Sequence, residues 1–269
     1  MEYITMLGTG SAMVTKCYNT CFTISNNEGE HFLIDAGGGN TILTNLEKAD
    51  ISINKIHNMF ISHNHNDHIL GAVWVIRAIA NSMLNNKYSG IFNIYCHKKS
   101  IDALKNISSF VLQKKFLKLF DDKILFNEIN NNFSTEILGR KTTFFDINST
   151  KELQHGFTTT LKNEKTLTFL GDEPYREGIR EYCENVDFLM HEAFCLYSHK
   201  DIFKPYEKHH ATAKDACINA NKLNVKNIIL YHTEDKNLDK RKELYTEEGQ
   251  KEFPGNIFMP DDLDVISLD

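Results

Sequence analysis

Apolar residues recur along this chain with two different periods. Short runs that alternate or are wholly apolar, at 4–7, 21–25, 32–34, 56–61, 91–96, 142–147, 157–161, 166–170, 188–190, 227–231 and 263–268, predict β-strands. Between them, residues 41–49, 68–83, 101–119, 175–185, 211–223 and 238–251 carry apolar positions at helical spacing. The polar tetrad 162–165 predicts a hairpin between its flanking strands. The asparagine-rich stretch 127–134 predicts a loop. Early strands are expected to pair antiparallel, whereas later units alternate β and α. No repeat, proline-rich linker or long charge run divides the chain. The pattern therefore predicts one α/β domain over 1–269, with two sheets and outer helices.

Composition changes this picture in one respect. The net charge of −6 favours solubility and leaves no broad basic footprint for nucleic acid, although a local patch stays open. No basic, then apolar, leader opens the chain, so a secretory signal is not expected. The longest apolar run, 69–76, is far short of the roughly 20 residues that span a bilayer, so no membrane insertion is expected. Six dispersed cysteines without a CxxC pair fit free thiols in a reducing cytosol, and a cytoplasmic protein is expected. The outlying number is twelve histidines in 269 residues.

Their spacing gives that number a chemical meaning. His63-Asn64-His65-Asn66-Asp67-His68 places four ligand-type residues within six positions, between an apolar strand and a helix. Alternate residues of an extended segment face one side, so His63 and His65 can reach one ion together. Asp67 and His68 turn with the chain and can reach a second. Imidazole suits zinc, and carboxylate suits zinc, manganese or iron. A six-residue motif cannot close two sites alone. His155, Asp172 and His232 each sit at the end of a predicted strand, where active sites of α/β proteins gather. Taken singly, each would be read as a surface or capping residue; their shared position argues otherwise.

Leu7-Gly8-Thr9-Gly10-Ser11, Phe32-Leu33-Ile34-Asp35-Ala36-Gly37, the histidine motif and the strand ending at His232 make the chain resemble the metallo-β-lactamase fold superfamily and, within it, ribonuclease Z. The resemblance implies an αββα sandwich of two mixed β-sheets flanked by helices, with a dinuclear site at one sheet edge. It implies that His63, His65 and His155 hold one metal and Asp67, His68 and His232 the other, with Asp172 bridging and Asp35 supporting the histidine loop. His191-Glu192-Ala193-Phe194 is similar to the HEAT-type motif of ribonuclease Z, with Phe194 where threonine is usual. His210-Ala211-Thr212-Ala213 is similar to its HST-type motif, with alanine replacing serine. These two likenesses imply a catalytic pair, His210 oriented by Glu192, that protonates a leaving oxygen. An imidazole held by a carboxylate is in itself a tuned acid/base couple.

The resemblance implies two divalent ions, zinc first, with manganese or iron admitted by the mixed donor set. Such a centre, with Asp67 also placed to orient or deprotonate water, points to phosphodiester hydrolysis. Hydrolysis of a small ester, lactone or sulfate ester stays open, since fold does not fix substrate. A β-lactamase is disfavoured by aspartate, not cysteine, at Asp172, and a flavodiiron protein by His65 where glutamate is usual. A non-catalytic binding module is disfavoured by the full ligand set. Processing of tRNA 3′ ends is an alternative, but His155 and Asp172 are only 17 positions apart. The long protruding arm of ribonuclease Z is missing from that interval, so RNA is not the favoured substrate. The lysines of 105–118 fit a solvated helix face better than an RNA patch. A homodimer is a further implication of the subgroup. His31, His57, His97, His199 and His209 are left as ordinary residues, and His191 as a neighbour in the supporting motif.

Overall fold

Two mixed β-sheets of seven strands each organise the chain, and the computed structural model describes residues 2–269. It divides into two compact units. Among the described residues, the first comprises 2–8, 18–129 and 262–269, and the second 9–17 and 130–261. Among the described residues, no helix is long and apolar enough to cross a membrane.

In the first unit, β1 (Tyr3–Gly8), β2 (Cys21–Ser25) and β3 (His31–Ile34) pair antiparallel as expected. After α1 (Thr41–Lys48), β4 (Ile56–Phe60) joins β3 in parallel. It leads into α2 (Asn66–Leu84), then β5 (Phe92–Cys96), α3 (Lys98–Val111), α4 (Lys114–Leu117) and β6 (Ile124–Glu128). The C-terminal strand Val265–Ser267 closes the other edge, antiparallel to β1. The core is Ile69, Val75, Ile76 and Ile79 of α2 with Leu33, Met59 and Ile94 of the sheet. Gly71 sets how closely α2 approaches. Its N–H donates to Gly37 O at 2.8 Å, and a Cβ there would lie 1.8 Å from Ala36 O.

The second unit begins with three antiparallel pairings. They join β7 (Phe133–Ile137), β8 (Arg140–Asp146), β9 (His155–Thr160) and β10 (Thr166–Phe169) in order. After α5 (Arg180–Cys183), β11 (Phe188–Glu192) runs parallel to β10. Beyond α6 (Lys200–Phe203) and α7 (Ala213–Lys222), β12 (Asn227–Tyr231) runs parallel to β11. Last come α8 (Arg241–Gly249) and β13 (Asn256–Phe258). Helix α7 opens with a capping box between Thr212 and Asp215. Its Ala216, Cys217 and Ala220 pack on Leu189, Ile228 and Leu230.

Three expectations are corrected. The helix over 101–119 is interrupted by extended residues at Leu112 and Gln113. Continued at helical spacing from buried Leu104 and Ser108, it would turn Lys115 inward; the break turns Phe116 inward instead. The helix over 175–185 is reduced to a 3₁₀ turn and α5, because Arg176 is extended and Ile179 leaves the helical region at their junction. The loop over 127–134 shrinks to 129–132, since sheet pairing extends β6 and β7 into the polar stretch.

Asp187 ties β10 to its neighbours: its carboxylate accepts from Thr166 N at 2.8 Å and pairs with Lys226 Nζ at 2.7 Å. Burial alone would raise its pKa, but Lys226 and the Thr166 N–H hold it below its ordinary 3.8. Its contribution is complete above the unfolded value and is lost as the pH falls through the folded one. Asp187→Asn is expected to cost about 1.5 kcal/mol at neutral pH and little in strong acid; chemical denaturation at both pH values checks this.

Candidate metal centre

The histidine motif occupies the turn between β4 and α2, where the two hydrogen-bonding patterns change over. His65 is the extended N-cap of α2, and Asp67 and His68 lie in its first turn. His63, Asp67 and His68 are buried, and His65 is half-buried. Asp35 supports this turn from beneath. Its carboxylate accepts from Ser62 N and Ser62 Oγ, both at 2.8 Å, and meets His68 Nδ1 at 2.8 Å. The third contact puts the His68 proton on Nδ1 and turns Nε2 toward Asp67 Oδ2, 3.4 Å away. Ser62 Oγ also meets His63 Nδ1 at 2.9 Å, which fixes that ring in the same sense. Asp35 adopts a left-handed backbone (φ 52°), a conformation that costs a non-glycine residue about 1 kcal/mol. Burial disfavours the charged form of His68, but Asp67 and Asp35 outweigh it and raise its pKa well above the usual value.

In the second unit, the ends of three parallel strands supply the candidates. Asp172 follows β10, Glu192 ends β11 and His232 follows β12, the placement expected of an α/β active site. His155 opens β9, and the register that sets Phe157 opposite Phe169 returns it to the edge of Asp172. Asp172 Oδ2 lies 3.7 Å from His232 Nε2. His232, like Asp35, has a left-handed backbone (φ 59°). Burial lowers the pKa of His155, with Asp146 opposing, and so favours the neutral form that a metal needs.

His210 precedes α7. Its ring stacks on Phe194 with centroids 4.9 Å apart and lies 5.3 Å from the His232 ring. Its Nδ1 is 3.6 Å from Glu192 Oε2, an ion-pair distance longer than a hydrogen bond. Glu192 is fully buried and accepts from the backbone N–H groups of Ala211 and Phe194. It thus holds the segments on which His210 and its stacking partner ride. His191 turns elsewhere: Tyr175 N and the Asn219 amide meet its Nε2, and its Nδ1 meets Glu192 O. Burial lowers its pKa, in keeping with a neutral core histidine.

A divalent cation fits the donors in each unit. His63 Nε2 and His65 Nδ1 approach to 2.9 Å, and the His63 and His68 rings to 4.2 Å. Facing imidazole nitrogens repel unless a proton or a cation lies between them, and buried carboxylates need a counter-charge. Nitrogen and carboxylate donors together form the set that zinc, manganese and iron accept. Residue pattern alone missed two features of this region. Phe194, noted only as a departure from the motif, is the surface on which His210 lies. Glu173, directly after Asp172, is a buried carboxylate that no motif signals.

A family model described as Anti-Pycsar protein Apyc1 matches residues 2–253. Ribonuclease Z of Thermococcus sibiricus is 27% identical, covering 100% of this chain and 97% of that protein. The metallo-β-lactamase fold protein YhfI from Bacillus subtilis superposes with a TM-score of 0.79 at 14% identity, covering 98% of each chain. Human tRNase Z, short form, gives 0.76 at 21% identity, covering 100% of each. These likenesses show the metallo-β-lactamase fold, with its two mixed sheets and flanking helices, and a ribonuclease Z-like chain within it.

Glutamine in place of Glu192 would set an NH₂ donor against a backbone N–H donor. Glu192→Gln is expected to cost about 2 kcal/mol and to broaden the His210 ring resonances; denaturant titration and NMR check both.

Proposed function

The chain belongs to the Anti-Pycsar protein Apyc1 family, and we propose that it is a dinuclear metal-dependent phosphodiesterase acting on small phosphodiesters. His63, His65 and His155 would hold one ion and Asp67, His68 and His232 the other, with Asp172 shared. The observation that carries this reading is burial: four of these imidazoles and both carboxylates are no more than 3% exposed. Buried ionisable groups are paired, hydrogen-bonded or coordinate metals, and this set has the donor types of a metal site. Zinc is favoured by the imidazole majority of the set.

When bound, two divalent ions draw charge from a phosphoryl group and acidify water. Asp67, beside His68 Nε2, would orient a water at this site and accept its proton. His210 supplies the other proton. Its Nδ1 faces Glu192, whose negative charge stabilises the imidazolium, and its Nε2 gives a proton to the departing alkoxide. Phe194 keeps the ring from rotating away.

Substrate size follows from the interval between His155 and Asp172. It holds only the β9–β10 hairpin, with a turn at 161–165, and no extended arm to grip a structured RNA. The description of the matching family carries over as a proposed role: hydrolysis by this chain acts against Pycsar.

Three measurements test the reading. Metal analysis after gentle purification and reloading is expected to find close to two ions per chain. His210→Ala is then expected to keep both ions and lose about 100- to 10,000-fold in kcat on bis(p-nitrophenyl) phosphate; loss of metal, with turnover unchanged once metal is reloaded, would make His210 structural. Precursor tRNA is expected to be cleaved poorly by the loaded enzyme relative to small diesters, and efficient 3′ processing in a gel assay would instead support the tRNA alternative.

A further inference from the structure

Glu173 is a fully buried carboxylate spent on an irregular loop, residues 149–152, between β8 and β9. Its Oε1 accepts from Ser149 Oγ at 2.5 Å and Lys151 N at 3.3 Å. Its Oε2 accepts from Thr150 N at 3.2 Å and from Arg176 Nη2 at 3.1 Å. The same guanidinium donates to Thr150 Oγ1 at 3.0 Å, and that hydroxyl also meets His209 Nδ1 at 2.9 Å. The loop is therefore fixed at every residue from 149 to 151, and tied to the neighbour of His210.

What this clamp presents is Lys151. Its side chain is only 20% exposed, and its ammonium lies 3.9 Å from Asp172 Oδ2. A lysine ordinarily extends into water; this one is held inward over a candidate metal ligand. If Asp172 gives its lone pairs to cations, the ammonium loses much of that partner and faces positive charge. An anion at this edge relieves the repulsion, and a phosphodiester carries one negative charge on its non-bridging oxygens. We infer that Lys151 is a substrate-binding residue that donates to a non-bridging phosphate oxygen, and that Glu173 is the positioning residue that holds it there. This rests on the phosphodiesterase reading and sharpens it: the site selects anionic esters over neutral ones.

Opposite effects on cation and anion separate this role from a structural one. In metal-loaded Lys151→Met, calorimetry is expected to show inorganic phosphate binding weakened about tenfold. Chelator competition should show metal bound as tightly as before, or more tightly. The KM for bis(p-nitrophenyl) phosphate should rise about tenfold, while hydrolysis of the neutral triester methyl bis(p-nitrophenyl) phosphate is unchanged. Lys151→Arg should restore the preference for the diester. Equal losses on diester and triester, unchanged phosphate binding, or loss of metal would each overturn the assignment. A loaded wild-type protein that hydrolyses no diester would remove the functional reading, while phosphate binding would still decide Lys151.

Discussion

The geometry of the histidine turn depends on one buried carboxylate, Asp35. An imidazole has two nitrogens, and which one carries the proton is set by its neighbours. Asp35 takes the Nδ1 proton of His68 and both donors of Ser62, and Ser62 in turn fixes His63. The outcome is that His68 turns Nε2 toward Asp67. Asp35 reaches this position through a left-handed backbone at the end of β3, and Gly71 lets α2 close on the adjoining turn. Strain and close approach are the local costs of placing a carboxylate under two histidines.

The second unit solves the same problem with strand topology. Three parallel strands end at one edge, and Asp172, Glu192 and His232 come to that edge one strand apart. Glu192 shows how a buried carboxylate serves two purposes. Its oxygens hold the backbone of Phe194 and Ala211, and its charge lies beside His210. Glu173 does the same for the 149–152 loop and Lys151. In both cases backbone N–H groups satisfy the buried oxygens, joined at Glu173 by the Ser149 hydroxyl and the Arg176 guanidinium.

Much of this was legible from residue types and spacing. The HNHNDH run announces a metal-binding turn, and the strand-end positions of His155, Asp172 and His232 follow from hydrophobic periodicity. Residues 21–25 and 227–231 are strands at the bounds that the pattern predicts. Where periodicity misled, a non-local contact had displaced a local preference. Phe116 reaches the core only if the helix breaks. The helix expected from Tyr175 is cut short at Arg176, which is extended and whose guanidinium meets Glu173 and Thr150.

The sequence alone determined the types of chemistry available: which residues could bind a cation, which could carry a proton, and the alternation of strand and helix that brings them to strand ends. Such information is local, because ligand type, hydrophobic period and motif spacing are properties of short segments. Only the tertiary structure decided that Glu192 grips two backbone segments, that His210 lies on Phe194, that His191 faces the core, and that Lys151 turns inward toward Asp172. Each of these joins residues up to 28 positions apart, and only packing specifies which polar group at such a separation meets which partner.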